Sequence, residues 1–559
     1  MTLDDLKMLF QFVGGLGMFL YGMNIMADGL QKSAGGKLKN IMGFLTKNRL
    51  VAVLVGAGVT AIIQSSSATT VMVVGFVNAG MLNLTQAVGV IMGANIGTTI
   101  TAWIVSLSEF GSVFKPEFYA PVLVGIGAFF LLFSKSERKG KTGEILVGIG
   151  ILFIGLSFMS DAIKPYRDSK VFIDMFTVLG KNPFLAILAG AVVTAIIQSS
   201  SASVGILQTL ALNGIVNWKS AVFITLGQNI GTCVTAVISG AGAGKNAKRA
   251  SIIHLLFNVI GTVIFSIVMF VLFKFNATWG NSTINSVEIS IFHTIFNVTC
   301  TVLLFPFAKV LVKLSELLIR DGKEEEEETL IEETKRKLDK RLLSNPSVAL
   351  EAAKKEVDVM GEMALHNLQN VIAAIGQEKG VGDVSNVYAV EKDLNHMEKM
   401  LTAFLVEVDN LSLTEHQHLL VKNMFYAVSD IERVGDHCEN IAELVEVMKR
   451  DGIVFSKKGT ADMAEITSET INALTTALQA RSTDSKKTAL MVEQYESHVD
   501  ELEDLFREKH IARLSKGKCT PESGVVFLDI MSNLERISDH ASNIAGYVIA
   551  EAQAKQTMM

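Results

Sequence analysis

The sequence predicts an all-α protein in two parts: a polytopic membrane half of inverted repeats with re-entrant hairpins, then a soluble half of tandem helical bundles. Three observations carry that reading. Charge divides the 559 residues: positions 1–320 hold 12 acidic and 23 basic side chains, net +11, and positions 321–559 hold 44 and 27, net −17. Apolar runs near membrane-spanning length recur in the first part only, which excludes an ordinary soluble globular chain there. Each part also contains an internal duplication. A disordered acidic tail is excluded for the second part by its steady apolar periodicity. Cys233, Cys300, Cys438 and Cys519 are scattered and form no metal or redox pattern. Met1–Leu6 carries Asp4 and Asp5 where a leader needs basic residues, so no signal peptide is expected.

In chain order, spanning helices are expected near 9–28, 85–107, 119–133, 144–163, 219–239, 250–273 and 287–312. Two further apolar segments, about 50–79 and 183–213, are each interrupted at the centre by Gln-Ser-Ser-Ser. Each arm is about 14 residues, roughly 21 Å of helix against a hydrocarbon core of about 30 Å. Arms of that length fit a re-entrant hairpin better than two crossings.

The duplication fixes the architecture. Thr60 to Ala68 (TAIIQSSSA) recurs as Thr194 to Ala202, and Gly93-Ala-Asn95-Ile-Gly97-Thr98 recurs as Gly227-Gln-Asn229-Ile-Gly231-Thr232, both at an offset of 134. Gly15, Gly17, Gly22, Met26 and Asp28 match Gly148, Gly150, Gly155, Met159 and Asp161 one residue out of that register; these glycines read as close helix packing. With the interrupted segments as hairpins, three crossings separate equivalent points, and an odd number inverts the second unit. Continuous spans would make it four, and the repeats parallel. Loop charge supports the hairpins. One face receives Lys32, Lys37, Lys39, Lys47, Arg49, Lys135, Arg138, Lys139, Lys141, Lys245, Lys248 and Arg249, against Lys115, Lys274 and a cluster at 164–181 on the other. The richer face, with the soluble half, is expected in the cytoplasm.

Chemistry concentrates at the interruptions. A Gln and three Ser at membrane depth need partners or water. At a hairpin tip the first arm ends in free carbonyls, which favour a cation, and the second begins with free N–H groups, which favour an anion. Asn95 and Thr98, with Asn229 and Thr232, lie in glycine-bounded stretches where a helix can unwind. The alternative is interhelical hydrogen bonding alone. No Lys or Arg is expected at the membrane centre, so an entering anion lacks a fixed countercharge, and co-bound cations would supply it. His254 with Asn258 and His293 with Asn297, each pair four apart, share helix faces that read chiefly as mutual packing contacts.

Over about residues 10–312 the chain resembles the type II sodium-dependent phosphate cotransporter family, whose signature is the paired Gln-Ser-Ser-Ser segments with the Gly-Ala-Asn-Ile-Gly-Thr type motifs. The resemblance implies inorganic phosphate as substrate and sodium as driver. It also implies binding by Gln64, Ser65, Ser66, Ser67, Asn95 and Thr98, and by Gln198, Ser199, Ser200, Ser201, Asn229 and Thr232. Gln228 and Cys233 depart from Ala94 and Thr99 of the first unit.

After Arg320 the run Asp321-Gly-Lys-Glu-Glu-Glu-Glu-Glu reads as part of an acidic linker over 321–345, and amphipathic helices follow from about 346. Ile431 to Ala442, containing Glu432, Arg433, Asp436, His437 and Asn440, recurs as Leu534 to Ala545, containing Glu535, Arg536, Asp539, His540 and Asn543, at an offset of 103. Two bundles result, about 346–450 and 455–555. Carboxylates four apart on one face repel unless a cation or basic side chain bridges them. A metal site and a salt-bridge lattice through Arg433 and Arg536 both answer that. Over about 345–550 these motifs resemble the PhoU family. That resemblance implies tandem three-helix bundles, iron or another divalent metal at Glu432, Asp436, Glu535 and Asp539, and a regulatory role in phosphate handling.

The expectation is a multi-pass inner-membrane symporter: repeat 1 over about 9–134, repeat 2 over about 144–273 and an extra helix at 287–312. Sodium, phosphate, the bilayer and a cytoplasmic regulatory protein are its partners; nucleic acid is not. No nucleotide-binding loop or nucleophile elbow argues for an enzyme. A transporter of another anion, a phosphate exporter and a membrane-anchored phosphate-signalling protein are the alternatives.

Overall fold

The structure, a computed structural model, describes residues 3–34, 48–109, 116–134, 136–167, 169–320, 329–375 and 384–557. Lys37, Lys39, Lys47, Lys115, Lys135 and Asp321–Glu328 lie outside the described residues. Two compact units result, residues 1–325 with 339–347, and residues 326–338 with 348–559.

In the first unit, α1 (Leu3–Ala34), α2 (Arg49–Ile63), α3 (Ser66–Asn78), α4 (Leu84–Ser106) and α5 (Pro116–Phe133) form the first repeat. The second repeat is α6 (Glu137–Ile163), α7 (Lys170–Lys181), α8 (Pro183–Ile197), α9 (Ser200–Leu212), α10 (Trp218–Ala241) and α11 (Lys245–Phe275). Beyond these lie α12 (Ala277–Asn281), α13 (Ser286–Leu304) and α14 (Ala308–Leu318). The run expected at 287–312 is divided at Phe305–Phe307, where Pro306 removes a helix N–H and the chain tightens to 3₁₀.

Glycine contacts show both the inversion and the hairpins. Equivalent helices α1 and α6 pack directly: Gly15 meets Gly155 and Met159, Gly22 meets Gly148 and Leu152, and Gly29 meets Glu144 and Ile145. One numbering rises as the other falls, so sequence-equivalent helices run antiparallel. That is the inversion. Along α2 and α4 both numberings rise together: Ala52 meets Gly89, Val53 meets Gly93 and Ala57 meets Gly97. Two helices joined by a single crossing could not run that way, so α3 must return to the side α2 left. In the second repeat Ile187 meets Gly227 and Ala191 meets Gly231, again in parallel.

A methyl group at Gly227 would overlap the Ile187 carbonyl oxygen, whereas one at Gly58 meets nothing within 4 Å. Gly227→Ala is therefore expected to cost about 1–3 kcal/mol and lower the melting temperature of the purified chain. Gly58→Ala should be neutral or stabilising. Equal melting temperatures for the two variants would contradict the packing.

Between Ile163 and Pro183, where the sequence shows only a charged cluster, α7 forms and turns into α8 at 113°. Part of the expected linker also belongs to this unit. Leu342 is fully buried on α3, where a Cβ at Gly75 would stand 3.2 Å from its Cδ2. Asp339 Oδ2 accepts from Asn78 Nδ2 at 2.7 Å and from Arg341 Nη1 at 2.6 Å. Arg341 Nε donates to the Ser239 carbonyl at 2.9 Å, and Asn345 Nδ2 to Gln31 Oε1 at 3.2 Å.

In the second unit, Thr329 and Glu332 form a capping box that starts α15 (Leu330–Lys337), so this stretch too is helix rather than plain linker. Then come α16 (Pro346–Ile375), α17 (Ser385–Asp409) and α18 (Glu415–Asp451), followed by α19 (Lys457–Thr483), α20 (Lys486–Ser515) and α21 (Pro521–Thr557). Two groups of three long helices result. The duplicated helices α18 and α21 lie against each other, with Val428, Ile431, Ile441, Leu534, Ile537 and Ile544 buried.

Candidate functional site

Each hairpin turns on a glutamine. Gln64 ends α2 at φ 56° and Gln198 ends α8 at φ 57°, both left-handed, with N–H groups closing on Thr60 and Thr194. A left-handed conformation at a residue with a side chain costs roughly 1–2 kcal/mol; glycine would avoid it, so the side chain has a use. Ser65 and Ser199 follow as N-caps, their Oγ atoms accepting from Ala68 N at 3.1 Å and Ala202 N at 3.2 Å. Cross-braces hold the arms together: Thr60 Oγ1 donates to Thr69 Oγ1 at 3.0 Å, and Thr194 Oγ1 to Ser203 Oγ at 2.8 Å.

The tips meet. Ser66 Oγ and Ser200 Oγ, equivalent atoms of the two repeats, are 3.5 Å apart and buried. Both are the first residues of helices whose N-termini converge there. Among the described residues the amides of Ser66, Ser67, Ser200 and Ser201 find no acceptor across the tips. Two helix N-termini and the two hydroxyls of Ser66 and Ser200 therefore converge, and among the described residues no Lys or Arg pairs with them.

The two tips are not equal. Gln64 is buried, accepting from Thr101 Oγ1 at 2.9 Å and donating to the Ala61 carbonyl. Gln198 is exposed, while Thr235, at the place equivalent to Thr101, donates to Thr232 O. The Gln228 departure has a partner the first repeat lacks: its Nε2 donates to the Ser203 carbonyl and hydroxyl, both at 2.9 Å.

The expected unwinding near Asn95 and Asn229 does not occur. Both stretches are continuous α-helix, and the glycines serve helix contact instead. Asn95 Nδ2 and Thr98 Oγ1 donate to Ile91 O and Ala94 O of their own helix, as Asn229 and Thr232 do to Thr225 O and Gln228 O. Asn229 has a further setting. Its Oδ1 lies 3.4 Å from both His293 Nε2 and Asn297 Nδ2 of α13. One turn on, Cys233 Sγ meets the His254 carbonyl at 3.5 Å and Asn258 Nδ2 at 3.3 Å. The two His-Asn pairs thus face α10 from either side. Here Asn258 Oδ1, Asn297 Oδ1, Gln228 Oε1 and both His254 ring nitrogens are buried without a protein partner. The three amide oxygens are orphan acceptors, and the neutral His254 ring adds one acceptor and one donor; unpaired groups of this kind are costly in a dry interior.

Sequence reasoning missed Thr101, Ser203 and Gln208. The last donates from α9 to Ala102 O, Ser286 O and Ser290 Oγ. A single glutamine in an otherwise apolar arm, opposite Val74 in the other repeat, was its only signal.

In the second unit the motif carboxylates gather partners from the neighbouring helix. Glu391 of α17 faces Glu432, Asp436 and Glu439 of α18; burial, then those charges, pushes its carboxyl up to about 8. Burial followed by neighbouring carboxylates also raises Glu432, Glu496, Asp500 and Glu535. Oxygens of Glu496, Asp500 and Asp539 lie within 4.8 Å of one another. Arg536 reaches Glu535 at 3.5 Å and Asp539 at 3.4 Å, so the salt-bridge lattice forms in the second copy, whereas Arg433 makes no ion pair among the described residues. Beside these, Asp430 accepts from His540 at 2.8 Å and Tyr547 at 2.7 Å, and its counterpart Asn533 faces His437 at 2.9 Å.

Fold and site define a multi-pass membrane protein of the inverted-repeat, paired-hairpin class with an appended helical domain. A family profile described as Na+/Pi-cotransporter matches residues 18–161 and 168–290, and one described as PhoU domain matches 357–445 and 460–548. YqeW of Bacillus subtilis, a protein without an assigned role, is 35% identical over 256 residues, 46% of this chain and 81% of that one. The chain belongs to the Na+/Pi-cotransporter family and carries a PhoU domain. YjbB of Salmonella typhimurium, named there as a candidate inorganic phosphate export protein, is 24% identical over 97% of this chain and 98% of its own length. The rat sodium-dependent phosphate transport protein 2A is 34% identical over 102 residues, 18% of this chain and 16% of that one. A crystal structure of PhoU from Pseudomonas aeruginosa aligns with 37% of the chain and 97% of its own at 22% identity and a TM-score of 0.35.

Proposed function

We propose that the chain moves inorganic phosphate across the cell inner membrane together with sodium, by alternating access between its inverted repeats. The observation that carries this reading is the meeting of Ser66 and Ser200 at the convergent N-termini of α3 and α9. Serine hydroxyls and free amides receive phosphate oxygens there. Gln64 and Gln198, with Ser65, Ser67, Ser199 and Ser201, close the cradle. Sodium supplies the missing positive charge through oxygens such as those of Asn229, Asn258, Asn297 and Gln228, while Asn95, Thr98 and Thr232 shape the wall. Desolvating a phosphate without a countercharge costs several kcal/mol or more, which couples the two ions.

The bundle domain lies in the cytoplasm on this reading. It binds iron or another divalent metal through Glu432 and Asp436 and through Glu535 and Asp539, with Glu391, Glu496 and Asp500 as added ligands, and regulates transport alone or with a partner protein. The carboxylates fit a hard cation because they raise one another's proton affinity without enough basic partners. The full-length likeness to a protein named for phosphate export favours a second reading, net outward movement.

Labelled phosphate flux in proteoliposomes of the full chain, with a sodium gradient imposed inward, outward or not at all, tests both. Flux should follow the sodium gradient and change sign with it. Flux indifferent to sodium removes the coupling, and no flux under any gradient leaves the signalling alternative in its place.

A further inference from the structure

A cavity of about 660 Å³ opens in the second repeat, between α7, the start of α10 and the end of α11. It shares no residue with the hairpin tips. Three lysines line it from three separate helices: Lys181, Lys219 and Lys274. No carboxylate lines it, and among the described residues none of the three makes a salt bridge. Lys219 Nζ donates only to Asn281 Oδ1, at 3.1 Å.

These charges stand where basic residues are disfavoured. Helix α11 has 31 residues, roughly 46 Å long, with Lys245, Lys248 and Arg249 at its start and Lys274 at its end. The cavity is thus on the face opposite the basic loops, against the usual bias. Unpaired positive charge gathered there calls for a negative ligand.

Depth and lining narrow its chemistry. Trp218 and Trp279 stand 5.0 Å apart, with Phe273 5.0 Å from Trp279, an aromatic belt of the kind found at headgroup level. Phe223 and Phe273 floor the cavity. Phe270 is 54% exposed on its rim, so the wall continues onto the apolar outer surface of α11. Gly280 packs against the stem of one of the three lysines: a Cβ there would lie 2.6 Å from Lys219 Cε.

We propose that this cavity is a binding site for a phosphate-bearing anion, held by Lys181, Lys219 and Lys274 at the bilayer surface. An anionic phospholipid headgroup and free inorganic phosphate share that chemistry. The Phe270 rim favours the lipid, whose acyl chains would leave along it.

The test uses delipidated full-length protein in detergent, titrated by native mass spectrometry with phosphatidylglycerol and with zwitterionic phosphatidylcholine. Phosphatidylglycerol should bind more tightly, and each Lys→Gln change should weaken it about fivefold, the K181Q/K219Q/K274Q triple by roughly a hundredfold. The triple Lys→Arg variant should restore binding, and Lys164→Gln, outside the cavity, should leave it unchanged. A parallel arm adds millimolar inorganic phosphate. Displacement of the lipid in the wild type but not in the Gln triple identifies free phosphate as an occupant, and no displacement identifies the lipid. Equal phosphatidylglycerol affinity in wild type and the single Lys274→Gln variant, whose exposed side chain the fold does not need, overturns the proposal. So does an equal loss in Lys164→Gln. The readout is lipid binding, so it stands or falls independently of sodium-driven transport.

Discussion

Removal of the Ser66 and Ser200 hydroxyls together is expected to weaken phosphate binding by about two to four orders of magnitude. Each hydroxyl that donates to a charged ligand contributes about 1.5–3 kcal/mol, a factor of roughly 10–150, and the two atoms are the ones the repeats bring together, 3.5 Å apart. Ser66→Ala and Ser200→Ala singly should each produce about the square root of the double effect if the two hydroxyls act independently. Ser65→Ala is the contrast. Ser65 Oγ is spent on the Ala68 amide, so its loss should lower stability by about 1 kcal/mol with a smaller effect on affinity. Labelled-phosphate binding to the purified chain at saturating sodium, alongside the melting temperature, separates the outcomes. Unchanged affinity in the Ser66→Ala/Ser200→Ala variant, in protein that melts normally, would remove the tips from the binding site.

The second large effect concerns Glu391. Burial and the charges of Asp436, Glu432 and Glu439 hold its carboxyl near 8, against 4.5 in an unfolded chain. The folded state therefore keeps a proton that the unfolded state releases. Stability from this group is full below about pH 4.5 and is lost as pH rises through 8. Between pH 5 and 8 the metal-free protein should lose about 3 kcal/mol from this source, after discounting the raw shift for solvent screening. Glu391→Gln should remove most of that slope, melting above the wild type at pH 8 and close to it at pH 5. The same change should lower divalent-metal content, since it deletes a carboxylate facing Glu432 and Asp436. Thermal melts of chelated protein at the two pH values, with metal analysis of the unchelated protein, provide the check. A wild-type slope retained in Glu391→Gln would show that its environment is not the one described.

Much of this was legible in the sequence because period and length are local properties. Spans of apolar residues and a nine-residue identity at a fixed offset are visible without knowing what packs on what, and so were both hairpins. Helix α7 was not, because its residues read only as a charged cluster in which no spanning run stands out. The glycines near Asn95 and Asn229 misled for a physical reason: glycine permits both unwinding and close approach, and only the neighbouring helix decides between them. Here Val53 and Ile187 decide, their carbonyls lying where a Cβ would stand. Asp436 and Asp539 could be picked from their motif. Glu391 and Asp500 stand in a second duplicated stretch, where Val390-Glu391 and His396-Met-Glu398 match Val492-Glu493 and His498-Val-Asp500, but their facing the motif carboxylates, like that of Glu496, was not legible, since they belong to the neighbouring helix and enter through tertiary pairing. Thr101, held against Gln64, was invisible for the same reason.

Ser66 and Asn78 are the two ends of one 13-residue helix, roughly 18 Å apart. Whatever grips one end therefore positions the other. Asp339 grips Asn78, Leu342 fills the surface at Gly75, and Arg341 ties both to Ser239 at the end of α10. The polypeptide on each side of this short strap belongs to the second unit. The strap is thus fastened to a stiff rod whose far tip is the hydroxyl facing Ser200, so one short stretch of chain runs unbroken from the helical bundles to the helix that ends where the two halves of the duplication touch.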